Sequence, residues 1–205
     1  MLYLATASTQ PVRRAMLAGD LGLMAQPASN GPAAAPGVPW AADNGCFSAK
    51  WDAGRWMAWL KAQVGYLGSC LFAVVPDVVA DASATRERFD RWAPPVAALG
   101  YRLAYVLQDG ADELPWDDFD VLFVGGSTAY KESMEASRWA AEAKARGKAT
   151  HMGRVNSLRR MRIAEREGYD TVDGTFLAFG PDVNLPRLAR MIRRAHEPSL
   201  FGSAS

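Results

Sequence analysis

The sequence predicts an α/β fold, a compact (β/α)8 TIM-type barrel with a short or missing eighth strand, and three observations lead there. Strand-like apolar runs alternate with amphipathic stretches almost from end to end, the pattern of a parallel sheet with crossover helices. Polar or glycine-containing clusters follow these runs, as in Ala42-Asp-Asn-Gly-Cys-Phe47, Val75-Pro-Asp-Val-Val-Ala-Asp81, Leu107-Gln-Asp-Gly110 and Val124-Gly-Gly-Ser127. An open doubly wound sheet gathers its ligands at one switch point, whereas a barrel draws them from many strand ends. Finally, 205 residues, 49% hydrophobic and 22% charged, suit one domain with a full core.

Taken in order, the strands expected are Leu2–Ala5, Val38–Ala42, Leu71–Val75, Leu103–Leu107, Val121–Val124, Ala149–Met152 and Thr171–Val172. An eighth is either brief, around Phe176–Phe179, or missing. Amphipathic periodicity places helices over Pro11–Ala18, Ala53–Val64, Ala84–Ala98, Thr128–Arg146, Ser157–Glu167 and Leu185–His196. Ser83 can cap the third of these and Asn156 or Ser157 the fifth, while Gly147 and Gly168 fit positive-φ helix ends. Pro94-Pro95 is expected to break or kink its helix. Gln26–Pro39, rich in Ala, Pro, Gly, Ser and Asn, reads as a surface loop. A single barrel domain over residues 1–198 with a flexible tail over 199–205 accounts for the chain.

Composition narrows the function. No apolar run approaches the roughly 20 residues of a membrane span, and Met1-Leu-Tyr-Leu-Ala5 lacks a signal peptide's basic region and long apolar stretch, so a cytoplasmic protein is expected. Cys46 and Cys70 are too few for a disulfide framework and lack zinc-site spacing, so no metal is expected. Neither GxGxxG nor GxxxxGK[ST] occurs, and no cofactor is expected. With His151 and His196 the only histidines, acid–base chemistry falls mainly to carboxylates. Net charge is +1, yet from Arg146 onward 11 Lys/Arg face 6 acids. That basic end is either a phosphate-backbone contact surface or a set of solvated helix faces.

Asp173 is a lone carboxylate where a short apolar strand ends. It is either a nucleophile or a cap for the amides of Gly174 and Thr175. Asp43 is either an acid–base group, its pKa raised in a partly closed pocket, or the start of an Asx-turn into Asn44-Gly45. His151 points opposite to Met152 in a regular strand and reads as packing.

Together the strand ends resemble the tRNA-guanine transglycosylase family and, within it, the phage-type branch that inserts 7-deazaguanines into DNA. Asp43-Asn-Gly-Cys-Phe47 is similar to the family's Asp-Ser-Gly-Gly-aromatic, Asp81-Ala-Ser-Ala-Thr85 to Asp-Glu-Cys-Thr, and Val106-Leu-Gln-Asp-Gly110 to Val-Gln-Gly-Gly. Val124-Gly-Gly-Ser127 resembles the Gly-Gly-Leu strand end, His151-Met-Gly153 resembles Leu-Met-Gly, and Gly168-Tyr-Asp-Thr-Val-Asp173 resembles Gly-Ile-Asp-Met-Phe-Asp. The resemblance covers most of Val38 to Thr175, in the family's order.

By that resemblance Asp173 is the nucleophile at C1′ of a guanosine, forming a covalent aspartyl–sugar intermediate, and Asp43 its acid–base partner. Asp77 or Asp81 reads the base, Gln108 and the backbone of Gly125 and Gly126 donate to its O6, and Phe47 and Met152 sandwich it beside Gly153. Arg154, Arg159, Arg160, Arg162, Arg190, Arg193 and Arg194 are the candidate nucleic-acid contacts. The family's Pro-Thr-Arg after the nucleophile is replaced by Gly174-Thr-Phe-Leu177, and its zinc segment is absent. The expectation is therefore guanine exchange for a 7-deazaguanine such as preQ0 in DNA, in a bacterial or phage-infected cell. The alternatives are the same exchange in RNA or a purine-binding module, with a homodimer or partner protein supplying the missing grip.

Overall fold

Side-chain alternation along the strands separates two cores. In the first strand, Leu2 and Leu4 turn to one side and Tyr3 and Ala5 to the other, as the two-residue period of an extended chain requires. The computed structural model describes residues 1–47 and 51–197. Its strands are β1 (Leu2–Ala5), β2 (Gly22–Ala25), β3 (Trp40–Ala42), β4 (Cys70–Val74), β5 (Leu103–Leu107), β6 (Val121–Val124), β7 (Ala149–Met152) and β8 (Thr171–Asp173). All pair in parallel in chain order, and β8 closes on β1 with Leu4 opposite Asp173. The fold is the complete (β/α)8 barrel.

The sequence reading miscounted one strand. Nothing forms at Phe176–Phe179 but turns; the eighth strand is β2, hidden in the apolar run before the Gln26–Pro39 loop. A glycine opens β2 and weakens its strand signal, yet the barrel requires it there. A β-carbon on Gly22 would lie 2.5 Å from Leu4 Cδ2 and 2.9 Å from the Pro39 carbonyl.

The helices are α1 (Gln10–Leu17), α2 (Ala53–Ala62), α3 (Ala82–Ala97), α4 (Thr128–Lys131), α5 (Met134–Ala145), α6 (Leu158–Arg166) and α7 (Pro181–His196). Asp81, not Ser83, caps α3, and Ser157 caps α6. The single helix expected over Thr128–Arg146 is two, because the Ser133 hydroxyl accepts from the Ala136 amide and starts α5 afresh. Pro94 and Pro95 neither break nor end α3, which continues to Ala97. Both prolines are exposed in its last turns, so the carbonyls of Asp90 and Arg91 that lose amide partners can be hydrated.

Leu4, Ala41, Phe72, Val74, Ala104 and Val106 fill the barrel interior. Trp40, Trp56, Phe89, Tyr105, Met161 and Leu188 belong to the larger core between strands and helices. Among the described residues no helix is long and apolar enough to cross a membrane. The expected tail over 199–205 lies outside the described residues.

Candidate functional site

Parallel strands deliver all their C-terminal ends to one face of the barrel, so the loops that follow them meet there. Residues at or after seven of the eight strands, β2 to β8, line one cavity of about 280 Å³. Its polar side chains come from β2 (Gln26), β3 (Asp43, Asn44), β4 (Asp77), β5 (Gln108), β7 (Arg154) and β8 (Asp173, Thr175), with Lys131 at the end of α4.

Asp77 is buried between two amides: Asn44 Nδ2 donates to Oδ1 at 2.8 Å and Gln108 Nε2 to Oδ2 at 2.7 Å. Gln108 is fixed in turn because its Oε1 accepts the Ala80 amide at 2.9 Å. Burial raises the Asp77 pKa, while the Asn44 bond is the largest influence opposing it. Asp81 is exposed and accepts the Ala84 amide as the α3 cap, which leaves Asp77 as the carboxylate of this pair in the cavity.

Asp43 lies just beyond β3, its amide bonded to the Ala25 carbonyl at 2.7 Å. Loss of hydration pushes its carboxyl up to about 7, helped by the charges of Asp173 and Asp77 and opposed by the Gly45 and Asn44 amides. Its proton is thus exchangeable near neutrality, whereas a free aspartic acid would have lost it.

Asp173 is anchored from two sides. Its Oδ1 accepts the Arg154 amide at 3.0 Å and lies 3.1 Å from His151 Nε2, while His151 Nδ1 lies 2.8 Å from the Thr171 hydroxyl. His151 is fully buried inside the barrel, its ring centroid 4.3 Å from that of Phe123 and 5.2 Å from that of Phe72. With Nε2–H donated to Asp173, Nδ1 accepts from Thr171 and both ring nitrogens of a neutral imidazole are satisfied. The histidine set aside as packing is therefore the internal support of Asp173. The strand register carried that signal, since His151 pairs with Thr171, two residues before the aspartate.

The same alternation turns Met152 away from the site. It sits in the outer core at 0% exposure and does not line the cavity, so the sandwich of Phe47 and Met152 does not form. Phe47, 69% exposed at the rim, is covered instead by the Arg154 guanidinium, 3.8 Å from its ring centroid. Gly125, Gly126 and Gly153 do line the cavity; a β-carbon on Gly153 would press within 2.7 Å of the Phe123 ring. Lys131, which the sequence reading passed over inside a longer expected helix, is 3% exposed and reaches the cavity wall.

Of the seven candidate arginines, only Arg154 lines the cavity. Arg159 and Arg160 reach Glu132 at 3.1 and 3.7 Å, and Arg162, Arg190, Arg193 and Arg194 are exposed on α6 and α7. Apart from Arg154, the candidate arginines stand on α6 and α7.

Gly174 closes this side of the site. A side chain there would collide with the Tyr3 hydroxyl and Asn156 Oδ1 and stand 3.0 Å from the Val155 carbonyl. Gly174→Ala is expected to cost about 1–3 kcal/mol, read as a lower urea midpoint with an unchanged denaturant slope.

No protein-family model and no curated protein matches the chain. Among solved structures, one described as "Native KDPGal structure" is similar to it with a TM-score of 0.54 at 11% identity, covering 95% of this chain and 91% of the other. A 3-hexulose-6-phosphate synthase gives 0.48 at 11%, covering 95% and 98%. At that identity the first likeness speaks for the barrel alone. The barrel it matches lies outside the tRNA-guanine transglycosylase family, and no family model ties the six short motifs to that family. The transglycosylase assignment is accordingly withdrawn, with guanine exchange in DNA, its RNA counterpart and the purine-binding module. Short polar segments after barrel strands recur for geometric reasons, which explains how their order could mislead.

Proposed function

We propose that this chain is an enzyme that hydrolyses a glycosidic bond of a small polar substrate, with Asp43 as proton donor and Asp173 as the base that activates water. One observation carries the reading: two carboxylates face one cavity in contrasting surroundings. Asp43 is held near neutrality by desolvation and by the Asp173 charge, while Asp173 is fixed by a buried imidazole and a backbone amide. Such a division is what acid–base cleavage at an acetal-type carbon needs. Asp43 passes its proton to the departing oxygen or nitrogen as the bond to the sugar carbon breaks. Water adds to that carbon, and Asp173 accepts the water's proton. Asp77, with lone pairs left beyond its two amide partners, suits a leaving group that presents N–H donors.

A panel of nucleosides and aryl glycosides, assayed for released reducing sugar, tests this reading. Turnover by the wild type that is lost in Asp43→Asn and Asp173→Asn supports it. No release from any member, or release that persists in both variants, removes it. His151 acts through Asp173 and is a positioning residue. His151→Leu is expected to lower kcat about 100-fold with KM little changed, because the base loses its fixed orientation. His151→Gln, which retains an N–H donor, should recover part of the loss; equal losses in both variants would exclude the positioning role.

A further inference from the structure

We propose that Lys131 and Arg154 form an oxyanion subsite at the cavity wall, on which a phosphate group of the substrate sits. The inference adds a substrate class to the glycosidic reading, but it rests on cations that the bond-breaking step does not use.

Lys131 is 3% exposed, and its ammonium donates to the Gly126 carbonyl at 2.8 Å. An ammonium carries three N–H groups, so one carbonyl leaves its donor capacity largely unspent. Among the described residues it forms no ion pair within 4.0 Å, whereas nearby Arg159 and Arg160 share Glu132. A buried charge with no counter-ion in direct contact is costly, which makes its retention at a cavity wall informative. Burial first, and then the charges of Arg154 and Arg160, hold this ammonium below the usual lysine range against the opposing charges of Asp173 and Asp109.

Arg154 brings the second cation. Its backbone is left-handed at φ 58°, with its amide on Asp173 and its carbonyl accepting from Arg160 Nη1 at 2.5 Å. That pinned backbone places an exposed guanidinium over Phe47, again without a carboxylate partner among the described residues. A non-glycine residue in this conformation is uncommon and strained, and such strain concentrates at binding sites.

Two like charges therefore line a cavity that also holds Asp43, Asp77 and Asp173, and an oxyanion bound between the cations would neutralise their mutual repulsion while using the unspent donors. The pair lies close together, Arg154 exerting the largest of the charge effects on Lys131. It is not a track for a polymer backbone, because Arg159 and Arg160 are committed to Glu132. Lys131 and Arg154 follow β6 and β7, whereas Asn44 and Asp77 follow β3 and β4 across the barrel order. A substrate would thus be oriented with its phosphate to one side and its N–H groups to the other.

Titrating the full chain with inorganic phosphate at constant ionic strength tests the site without any turnover. Phosphate should raise Tm and bind measurably in calorimetry, chloride should do neither, and Lys131→Met or Arg154→Gln should weaken binding by about tenfold or more. Arg154→Gln guards against a folding artefact, since that side chain is exposed. Equal affinity in wild type and both variants, or no binding at ~20 mM phosphate, overturns the subsite. Ribose 5-phosphate and a single-stranded oligonucleotide separate the sources of phosphate. Tighter binding of the oligonucleotide with a steep salt dependence would overturn the small-ester assignment. Loss of hydrolysis in Asp43→Asn with phosphate binding intact would separate this subsite from the catalytic reading.

Discussion

Asp173→Asn is expected to lower kcat by about 10²–10⁴-fold while leaving the fold nearly as stable as the wild type, and Asp173→Ala to lose both activity and stability. The two variants differ in what they leave behind. Asparagine retains an oxygen for the Arg154 amide and for His151 Nε2–H, so the internal network survives while the base is gone. Alanine strands the Nε2–H of a side chain with 0% exposure, at a cost of about 1–3 kcal/mol. Steady-state kinetics beside urea unfolding reads the contrast. Full activity in Asp173→Asn would show that the carboxylate does no chemistry, and equal stability of the two variants would show that the His151 contact bears no weight.

Asp43→Asn is expected to abolish turnover and, unusually for a site mutation, to stabilise the protein at neutral pH. The sign follows from the raised carboxyl. In the folded chain it keeps its proton to about 7, but once unfolded it releases it near 3.8, so the native state binds more protons between those values. Stability is therefore greatest below the unfolded pKa and declines as pH rises from about 4 to about 7. An amide, which has no charge to bury, avoids that loss. Allowing for partial hydration at the cavity, the gain at pH 7.5 is on the order of 2 kcal/mol and vanishes at pH 4. Thermal unfolding across pH measures it, and a gain that does not depend on pH would argue that the carboxyl is ionised throughout. In the wild type, hydrolysis should fall as pH rises above about 7, where the proton donor is lost.

Much of this site could be read from strand ends, and its failures have physical causes. Asp43, Asp77, Gln108, Gly125, Gly126, Gly153 and Asp173 were all placed after strands, and in a parallel barrel every such position reaches the same mouth. Choosing Asp77 over Asp81 needed coordinates, because only they show one carboxylate between Asn44 and Gln108 and the other capping α3. Met152 and His151 exchanged their expected importance through strand parity: the methionine packs under the helices and the histidine inside the barrel. Lys131 escaped notice because a lysine in an amphipathic helix ordinarily faces water. The break at Ser133 instead leaves it at the end of a one-turn helix, buried against Gly126.

The alternation of apolar runs and amphipathic helices was enough to specify a parallel sheet with crossover helices, since each strand's two-residue period and each helix's stripe must be buried against the other, and the polar clusters after many strand ends favoured a barrel over an open sheet. Local sequence also carried most of the helix starts, in the short polar side chains that satisfy free amides. Closure was different in kind. β2 becomes a strand because its neighbours leave it nowhere else to satisfy its backbone, and its glycine is chosen by the crowding of Leu4 and the Pro39 carbonyl. The chemistry was decided at that same level: the acidity of Asp43 depends on desolvation and on Asp173, 130 residues away in sequence, and such coupling exists only after the barrel has closed and seven strand ends line one cavity.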